Sequence, residues 1–326
     1  MKILIVGLGS MGKRRARLLK GIDPSIQISV VDNTEFRRAE AAGLGMTAYP
    51  SIKEACECET FDAALVCTAP LSHAVIIKQL LEQGLSIFTE LNLVKDGYED
   101  AIALAKEKGL SLFLSSTMLY RGEIQYIANK VKEFDKKVNY IYHIGQYLPD
   151  WHPWENYRNF FVGNKRTGGV REIFGIELPW LTETFGDVVS FHVEKDKISE
   201  LEVDYEDSVF VTLRHASGAK GVLAVDVVSP KAVRNLEVFG EGLHLFWEGN
   251  PKALYQYDAD KQEKVAVNTY TTYEHDNRYS DNIVENAYVD ELSNFLAVLK
   301  GEQQPRYSFE KDLKIIDLMD KIEGAE

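Results

Sequence analysis

A glycine pattern near the start of the chain carries the clearest chemical signal. An apolar run at 2–6 leads into Gly7-Leu8-Gly9-Ser10-Met11-Gly12, and a helical stretch follows. In G-x-G-x-x-G the glycines allow a tight turn, a close approach of the backbone to a pyrophosphate and the packing of helix on strand. The N–H groups at the start of the helix then face the phosphates. We therefore expect a dinucleotide site; the alternative is a glycine turn that serves another ligand.

An acidic residue at the end of the second predicted strand accompanies this glycine loop. Asp32 stands at the end of the second predicted strand, twenty residues after Gly12, and Asn33 follows it. Such a carboxylate can accept hydrogen bonds from both hydroxyls of an adenine ribose and repels a 2′-phosphate, which favours NAD over NADP. Arg37 and Arg38 weaken that preference, because either side chain could reach a phosphate. Their alternative role is a solvated helix face.

The segments around these residues alternate between strands and helices. Between residue 1 and about 118 the sequence predicts strands at 2–6, 27–31, 63–67, 85–88 and 110–115, with helices at 72–83 and 98–108 between later strands. Strands that alternate with helices of this length form crossover units and a parallel sheet. We therefore expect an α/β chain whose residues 1–118 form a doubly wound, NAD(P)-binding Rossmann domain.

The pattern changes after residue 118. A helix at 123–132 and a strand at 138–146 precede a long aromatic and polar stretch, and strands then dominate up to residue 247. Alternation at Val209, Val211 and Leu213 is typical of a half-buried strand, and the chain ends in two helical patterns. Residues 119–326 are thus predicted to form an α+β domain with a mostly antiparallel open sheet, for substrate binding and oligomerisation.

Composition excludes several classes of protein. The 326 residues include 37 basic and 50 acidic side chains, a net charge of −13, and such a chain repels nucleic acid. There is no apolar run of the ~18 residues that a membrane span needs, and the first residues form a strand pattern and not a signal peptide. Three sparse cysteines indicate a reducing compartment without disulfides, and Cys56-Glu57-Cys58 has no second pair for zinc. We expect a cytoplasmic protein without a metal.

Taken together, these motifs resemble the glucose–fructose oxidoreductase/inositol dehydrogenase/MocA family over nearly the whole chain. Besides the glycine loop, the resemblance rests on Thr68-Ala69-Pro70 with His73, on Glu90 after a strand, on Gly168-Gly169 before Phe185-Gly186, and on 237–242 and 288–292. Members are two-domain sugar and polyol dehydrogenases. The resemblance implies dimers or tetramers through the open sheet, and further cofactor contacts from Thr68, Ala69, Pro70, His73 and Glu90.

Two departures affect the catalytic residues. The family's E-K-P segment reads Glu90-Leu91-Asn92, so the lysine is absent. The usual D-x-G-x-H reads Ile173-Phe174-Gly175-Ile176-Glu177, which places Glu177 where the family has its catalytic histidine. The resemblance therefore supports the fold and the cofactor but not the usual catalytic assignment.

Oxidation of a secondary alcohol needs a group that takes the hydroxyl proton. Glu177 is the first candidate, because the apolar neighbours Leu178 and Trp180 would favour its protonated form if they bury it. A surface glutamate or one half of an ion pair is the alternative. Glu172 is a second candidate, unless it forms a salt bridge with Arg171. His152 is a third, since its imidazole titrates in the right range.

The stretch from 151 to 171 contains candidate substrate ligands. Aromatic faces at Trp151, Trp154 and Tyr157 could stack on a sugar ring or simply pack a long loop. Cationic side chains follow, and they either bind an anionic substrate or are solvated: Arg158, Lys165, Arg166 and Arg171. Arg171 in particular could hold a substrate carboxylate with two hydrogen bonds.

These observations predict an NAD(P)-dependent dehydrogenase that acts on a sugar or sugar derivative, anionic or nucleotide-linked. The missing lysine and histidine keep two alternatives open. One is an NAD-binding sensor or scaffold without catalysis, and the other is a lyase or epimerase that uses NAD without net redox change.

Overall fold

A computed structural model describes residues 1–153, 155–273 and 283–325 of the chain. It divides into two compact units. Unit 1 comprises residues 1–116 and 288–314, and unit 2 comprises residues 117–287 and 315–326. No helix within the described ranges is both long and apolar enough to cross a membrane.

A parallel sheet forms the centre of unit 1. Its strands are β1 (Lys2–Val6), β2 (Gln27–Val31), β3 (Thr47–Tyr49), β4 (Ala63–Val66), β5 (Ser86–Thr89) and β6 (Leu112–Leu114). They are ordered β3-β2-β1-β4-β5-β6, and every neighbouring pair is parallel. Since β4 is buried along its length, it reads as an unbroken apolar run. The predicted doubly wound sheet is confirmed.

Helices connect these strands. They are α1 (Ser10–Ile22), α2 (Glu35–Gly43), α3 (Ile52–Cys58), α4 (His73–Glu82) and α5 (Tyr98–Lys108). The sheet order reverses at β1, between β2 and β4, because the chain first builds outward to β3 and then returns. Ligands of such sheets bind beyond the carboxyl ends of the strands at this point of reversal.

Unit 2 is built on an open, mostly antiparallel sheet, as predicted. After α6 (Gly122–Glu133) come β7 (Asn139–Gly145), α7 (Gly169–Phe185), β8 (Val188–Asp196), β9 (Ser208–His215), β10 (Lys220–Asp226), β11 (Val233–Gly240), β12 (Leu243–Trp247), β13 (Leu254–Asp258) and β14 (Glu263–Ala266). Their order is β14-β13-β12-β11-β7-β10-β9-β8, and among these neighbours β7 and β10 are parallel.

The two faces of this sheet differ in burial. On β9 the side chains of Val209, Val211 and Leu213 are buried, whereas those between them are exposed. Helix α7 packs on the buried face through ring contacts of Phe185 with Tyr140 and of Trp180 with Tyr142. The alternation of β9 therefore reflects one face under α7 and one open face.

The last two helices are α8 (Glu285–Leu299) and α9 (Phe309–Glu323). The predicted second region, 119–326, does not follow the division of the structure, because 288–314 belong to unit 1. The reason is aromatic packing: the ring of Phe295 lies edge-on to Phe88 at 5.4 Å and to Phe113 at 5.6 Å. Periodicity predicts the helix but not the sheet on which it packs.

Candidate dinucleotide site and proton carrier

The glycine loop of unit 1 has the geometry that its sequence predicts. Gly7 has a φ of +92°, which L side chains rarely adopt, and its N–H donates to the Val31 carbonyl at 2.8 Å. A Cβ on Gly12 would lie 2.1 Å from the Gly7 carbonyl oxygen. Gly7 therefore permits the turn, and Gly12 lets the start of α1 pack closely against the backbone of that turn.

The middle of the loop is open to a ligand. A Cβ on Gly9 would meet no atom within 4 Å, and α1 begins at the next residue, Ser10. No side chain caps this helix, and its first turn, which includes Met11, has no acidic residue. Unpaired N–H groups and the positive end of the helix dipole thus remain for a pyrophosphate. The residues present fit a dinucleotide.

Asp32 joins the glycine loop to the start of α2. Its side chain is almost completely buried, and it accepts the N–H of Leu8 at Oδ2 and that of Thr34 at Oδ1, both at 2.9 Å. Its carbonyl accepts Nη1 of Arg38 at 2.8 Å. Asn33 is exposed and accepts the hydroxyl of Thr34. The carboxylate is therefore held by two chain segments.

The segment after β4 lies against the glycine loop. A Cβ on Gly7 would lie 2.8 Å from Cγ2 of Thr68, and Ala69 and Pro70 open a short 3₁₀ turn. His73 is 2% exposed; its Nε2 lies 2.9 Å from the Thr68 carbonyl and its Nδ1 contacts Asn92. Burial lowers the pKa of His73. Because both ring nitrogens are engaged, His73 shapes the loop and does not present a nitrogen to a ligand.

Glu90 is held by an arginine that sequence reasoning missed. Arg15 on α1 is fully buried and donates from Nε to Glu90 Oε1 at 2.6 Å and from Nη2 to Glu291 Oε2 at 2.7 Å. Its guanidinium also lies over the rings of Phe88 and Tyr288. Burial raises the pKa of Glu291. The partners of Arg15 are 75 and 276 residues away in the chain, so local patterns did not indicate them.

In unit 2, Glu177 has no free acceptor for a substrate. It is fully buried and accepts from Arg234 Nε at 3.0 Å and Nη2 at 2.6 Å, from the Tyr142 hydroxyl at 2.8 Å and from Trp180 Nε1 at 2.6 Å. A carboxylate offers about four acceptor sites, and four donor contacts fill them. Of the three roles considered for Glu177 (proton carrier, surface glutamate and half of an ion pair), the geometry supports the ion pair, which anchors α7 to the sheet.

Glu172 lies five residues before Glu177 on α7, and its carboxyl group differs from that of Glu177 in its hydrogen bonding. Its Oε2 is buried and has no hydrogen-bond partner within the described part of the chain. Desolvation raises the pKa of Glu172 to about 8. The predicted salt bridge to Arg171 is absent, because Arg171 pairs with Asp320 at 2.6 Å and with Glu323. A carboxyl group with an unpartnered buried oxygen and a pKa raised toward neutrality suits proton transfer.

The ion pairs of Arg171 with Asp320 and Glu323 also bear on its predicted role in substrate binding. Its side chain is buried, and the two carboxylates occupy its guanidinium. Both partners lie on α9, so Arg171 links α7 to the end of the chain within unit 2. We therefore assign Arg171 a structural role.

The aromatic stretch is folded into short 3₁₀ turns. Trp151 donates from Nε1 to the Gln146 carbonyl at 3.1 Å and lies beside Gly169 at the start of α7. The ring of His152 stacks on Phe160 at 4.4 Å. Trp154 lies outside the described residues. Trp151 is thus positioned next to the helix that carries Glu172.

One of the cationic side chains of this stretch, Arg158, is paired with an acidic residue. The Tyr157 hydroxyl accepts the N–H of Glu202 at 3.0 Å, and Arg158 Nη1 lies 2.5 Å from the Glu202 carboxylate. Lys165 is exposed. The pair formed by Arg158 is also exposed on both sides, so it contributes little to stability.

The fold and the glycine loop define an NAD-binding oxidoreductase domain, and comparison with known proteins agrees. Residues 1–115 match the model of the GFO_IDH_MocA family, described as an oxidoreductase family with an NAD-binding Rossmann fold. The match covers this part of the chain, and it confirms the resemblance to the family drawn from the motifs.

Individual relatives extend over the whole chain. A myo-inositol 2-dehydrogenase of Thermotoga maritima is 25% identical over 331 residues, which cover 95% of this chain and 91% of the relative. The structure of a UDP-N-acetylglucosamine 3-dehydrogenase from Acidithiobacillus ferrooxidans has a TM-score of 0.77 at 17% identity, over 100% of this chain and 97% of that one. A biliverdin reductase from Synechocystis, solved with biliverdin and NADP⁺, has a TM-score of 0.74 at 19% identity, over 98% and 97%. The two structures share the fold with this chain.

Proposed function

We propose that this protein is an NAD(P)-dependent dehydrogenase that interconverts a secondary alcohol and a ketone on a sugar or sugar derivative, with Glu172 as the proton carrier. The observation that carries the proposal is the buried, unpartnered Oε2 of Glu172 in a chain with an NAD-binding domain. The proposal assigns the acid/base role to Glu172 and not to Glu177. The carboxylate oxygens of Glu177 already accept hydrogen bonds from Arg234, Tyr142 and Trp180.

The proton chemistry follows from the pKa of Glu172. The nicotinamide ring, when bound, supplies the acceptor or donor of hydride. Ionised Glu172 takes the proton of the substrate hydroxyl as the carbonyl bond forms, and protonated Glu172 returns it in the reverse direction. A pKa of about 8 keeps both forms populated near neutral pH, so the group works in either direction.

The sugar part of the proposal rests on relatives and on aromatic surface. Two relatives are dehydrogenases named for an inositol and for a nucleotide-linked sugar. Trp151, beside the start of α7, offers a ring on which the C–H face of a sugar can stack. Lys165 and Arg158, both accessible, are the cations that would serve an anionic or nucleotide-linked substrate.

Self-association and location are part of the same proposal. The open face of the unit 2 sheet exposes the apolar side chains of Ile141, Phe210 and Val222, and we infer that dimers or tetramers form through it. Light scattering coupled to gel filtration tests this, and a monomer at all concentrations would refute it. We also propose a cytoplasmic location, which the sparse cysteines of the chain support.

The test is a search for turnover. Purified protein is mixed with NAD⁺ or NADP⁺ and a panel of polyols, sugars, sugar acids and nucleotide sugars, and the absorbance of reduced nicotinamide is followed. Glu172→Gln should lower kcat by at least ~100-fold, the usual scale of acid/base catalysis, with NADH affinity unchanged. Glu183→Gln, an exposed change on the same helix, is the matched control.

Each outcome separates the alternatives. Wild-type turnover in Glu172→Gln would remove Glu172 from the mechanism. Product without net reduction of cofactor would indicate a lyase or epimerase. NADH binding without turnover of any substrate, in either direction, would favour a sensor or scaffold.

A further inference from the structure

We propose that Tyr205 is a positioning residue for Glu172: its ring covers the start of α7 beside Glu172 and keeps water from the carboxyl group. The inference rests on the function proposed above, in which Glu172 carries the proton. It goes further by naming the side chain that maintains the environment of Glu172. The residues concerned all belong to unit 2.

The first argument is the position of Glu172 on α7. Its N–H donates to the Gly168 carbonyl at 2.9 Å, which places Glu172 one turn after the start of the helix. Residues four apart share a helix face, and each side chain leans toward the N-terminus, so the side chain of Glu172 extends over Gly168. Gly168 has no side chain of its own, so groups from elsewhere in the fold must cover this surface.

The second argument is that the ring of Tyr205 covers it. A Cβ on Gly168 would lie 2.7 Å from Cε1 of Tyr205 and 2.9 Å from Cδ1, so the ring packs directly on the backbone of Gly168. Tyr205 is itself buried. Burial is the main cause that raises the pKa of Tyr205 to about 12, and the negative charge of Glu172 contributes to the rise. The ring and the carboxyl group are therefore neighbours.

The third argument is the way in which the Tyr205 hydroxyl is held. Its oxygen lies 2.8 Å from the Val162 carbonyl oxygen and 3.1 Å from the Gly169 nitrogen. A carbonyl can only accept, so the hydroxyl donates to Val162 and accepts from the N–H of Gly169. That N–H is one of those that the start of a helix leaves without an intrahelical partner. The two hydrogen bonds fix the ring against Gly168.

The consequence for Glu172 concerns its hydration. Burial raises the pKa of Glu172 to about 8, and among the described residues no charged group adds to this rise. The raised pKa therefore depends on the exclusion of water, to which the Tyr205 ring contributes. Removal of the ring should hydrate the carboxyl group and return its pKa toward 4.5, its ordinary value.

The first experiment needs no substrate. The gain in stability from Glu172→Gln is measured by urea unfolding between pH 5 and pH 9 in three backgrounds, which are the wild type, Tyr205→Phe and Tyr205→Ala. In the wild type the gain should grow as the pH rises. Tyr205→Phe keeps the ring and should keep this growth, whereas Tyr205→Ala should lose most of it.

Turnover gives a second readout, which a merely structural role of Tyr205 would not move. In the direction of alcohol oxidation, kcat/KM should rise with pH as Glu172 ionises. The midpoint of this rise should stay within about 0.3 pH unit in Tyr205→Phe. In Tyr205→Ala it should move at least about one pH unit lower, because shifts caused by desolvation reach several units.

Tyr126→Ala is the matched control. Tyr126 is a half-buried tyrosine of α6, and its hydroxyl donates to Gln256 Oε1 at 2.7 Å. Its loss should leave both pH dependences unchanged. Thermal melting checks that each variant is folded, and Tyr205→Leu, which also removes the ring, replaces Tyr205→Ala if that variant does not fold.

The outcomes separate this inference from the function on which it rests. Unchanged pH dependences in Tyr205→Ala would overturn the role of Tyr205 alone. Equal shifts in Tyr205→Phe and Tyr205→Ala would also overturn it, because the hydroxyl and not the ring would then be responsible. A gain from Glu172→Gln that does not grow with pH in the wild type would refute both, and wild-type turnover in Glu172→Gln would refute the proposed function.

Discussion

Replacement of Glu172 by glutamine should stabilise the protein, and increasingly so as the pH rises. The ordinary pKa of the side chain, 4.5, becomes about 8 in the fold because burial opposes the charge. The neutral form is favoured in the folded state, so the stability that depends on it is complete below pH 4.5 and is lost as the pH rises through 8. Glutamine has the same shape and cannot ionise, so the variant keeps that stability.

The magnitude follows from the two values. Each pH unit between them is worth about 1.4 kcal/mol. The wild type should therefore be less stable than Glu172→Gln by about 2 kcal/mol at pH 6 and, as an upper limit, by about 5 kcal/mol at pH 9. At roughly 2–4 °C per kcal/mol for a unit of this size, Tm of the variant should exceed that of the wild type at pH 9, by at most about 10–20 °C.

The assay is thermal and urea unfolding of both proteins, without ligand, between pH 5 and pH 9. Equal stability of the two proteins at every pH would show that Glu172 is solvated and would refute the reasoning. A gain of the same size at pH 5 and pH 9 would also refute it, because the charge would then not be its cause. The measurement needs no substrate, so it tests the environment of Glu172 separately from its role in catalysis.

Glu177→Gln, five residues along the same helix, is the contrasting control. It should lower the free energy of unfolding by about 3–5 kcal/mol throughout this pH range, because it leaves Arg234 without its buried partner. A stabilising effect would contradict the ion-pair role assigned to Glu177. Opposite effects at two glutamates of one helix would be hard to attribute to a general change in α7.

Three further predictions concern unit 1. Gly12→Ala should abolish NADH binding in a fluorescence titration, since the added Cβ would lie 2.1 Å from the Gly7 carbonyl oxygen; affinity within threefold of the wild type would contradict the loop geometry. Arg15→Met should cost about 3–5 kcal/mol in urea unfolding at pH 8 and less at pH 5, where Glu291, whose pKa is raised by burial, begins to protonate; an equal loss at both pH values would show that packing alone matters. Burial raises the pKa of Asp312 to about 7 from 3.8, so the stability that depends on its neutral form is lost as the pH rises through 7; Asp312→Asn should gain stability over the wild type between pH 5 and pH 8, and a constant difference across that range would speak against it.

The sequence was sufficient for the parts of the protein that depend on neighbouring residues. The turn at Gly7, the close approach at Gly12 and the start of α1 at Ser10 are encoded within six consecutive positions. Their sterics depend mainly on the adjacent strand and helix, and the structure has the predicted geometry. The parallel sheet of unit 1 and the open sheet of unit 2 follow from the periodicity of apolar residues, which is also a local property.

Only the tertiary structure decided which charged side chains are available. In the sequence, Glu177 occupies the family's catalytic position and Glu172 stands beside Arg171. In the fold, Tyr142 and Arg234, which supply three of the four hydrogen bonds to Glu177, lie 35 and 57 residues away, and Arg171 pairs with carboxylates about 150 residues away. Whether a carboxylate is satisfied or left without a partner depends on donors that folding brings together from distant segments. For that reason a local pattern predicted the dinucleotide site but not the choice between the two glutamates.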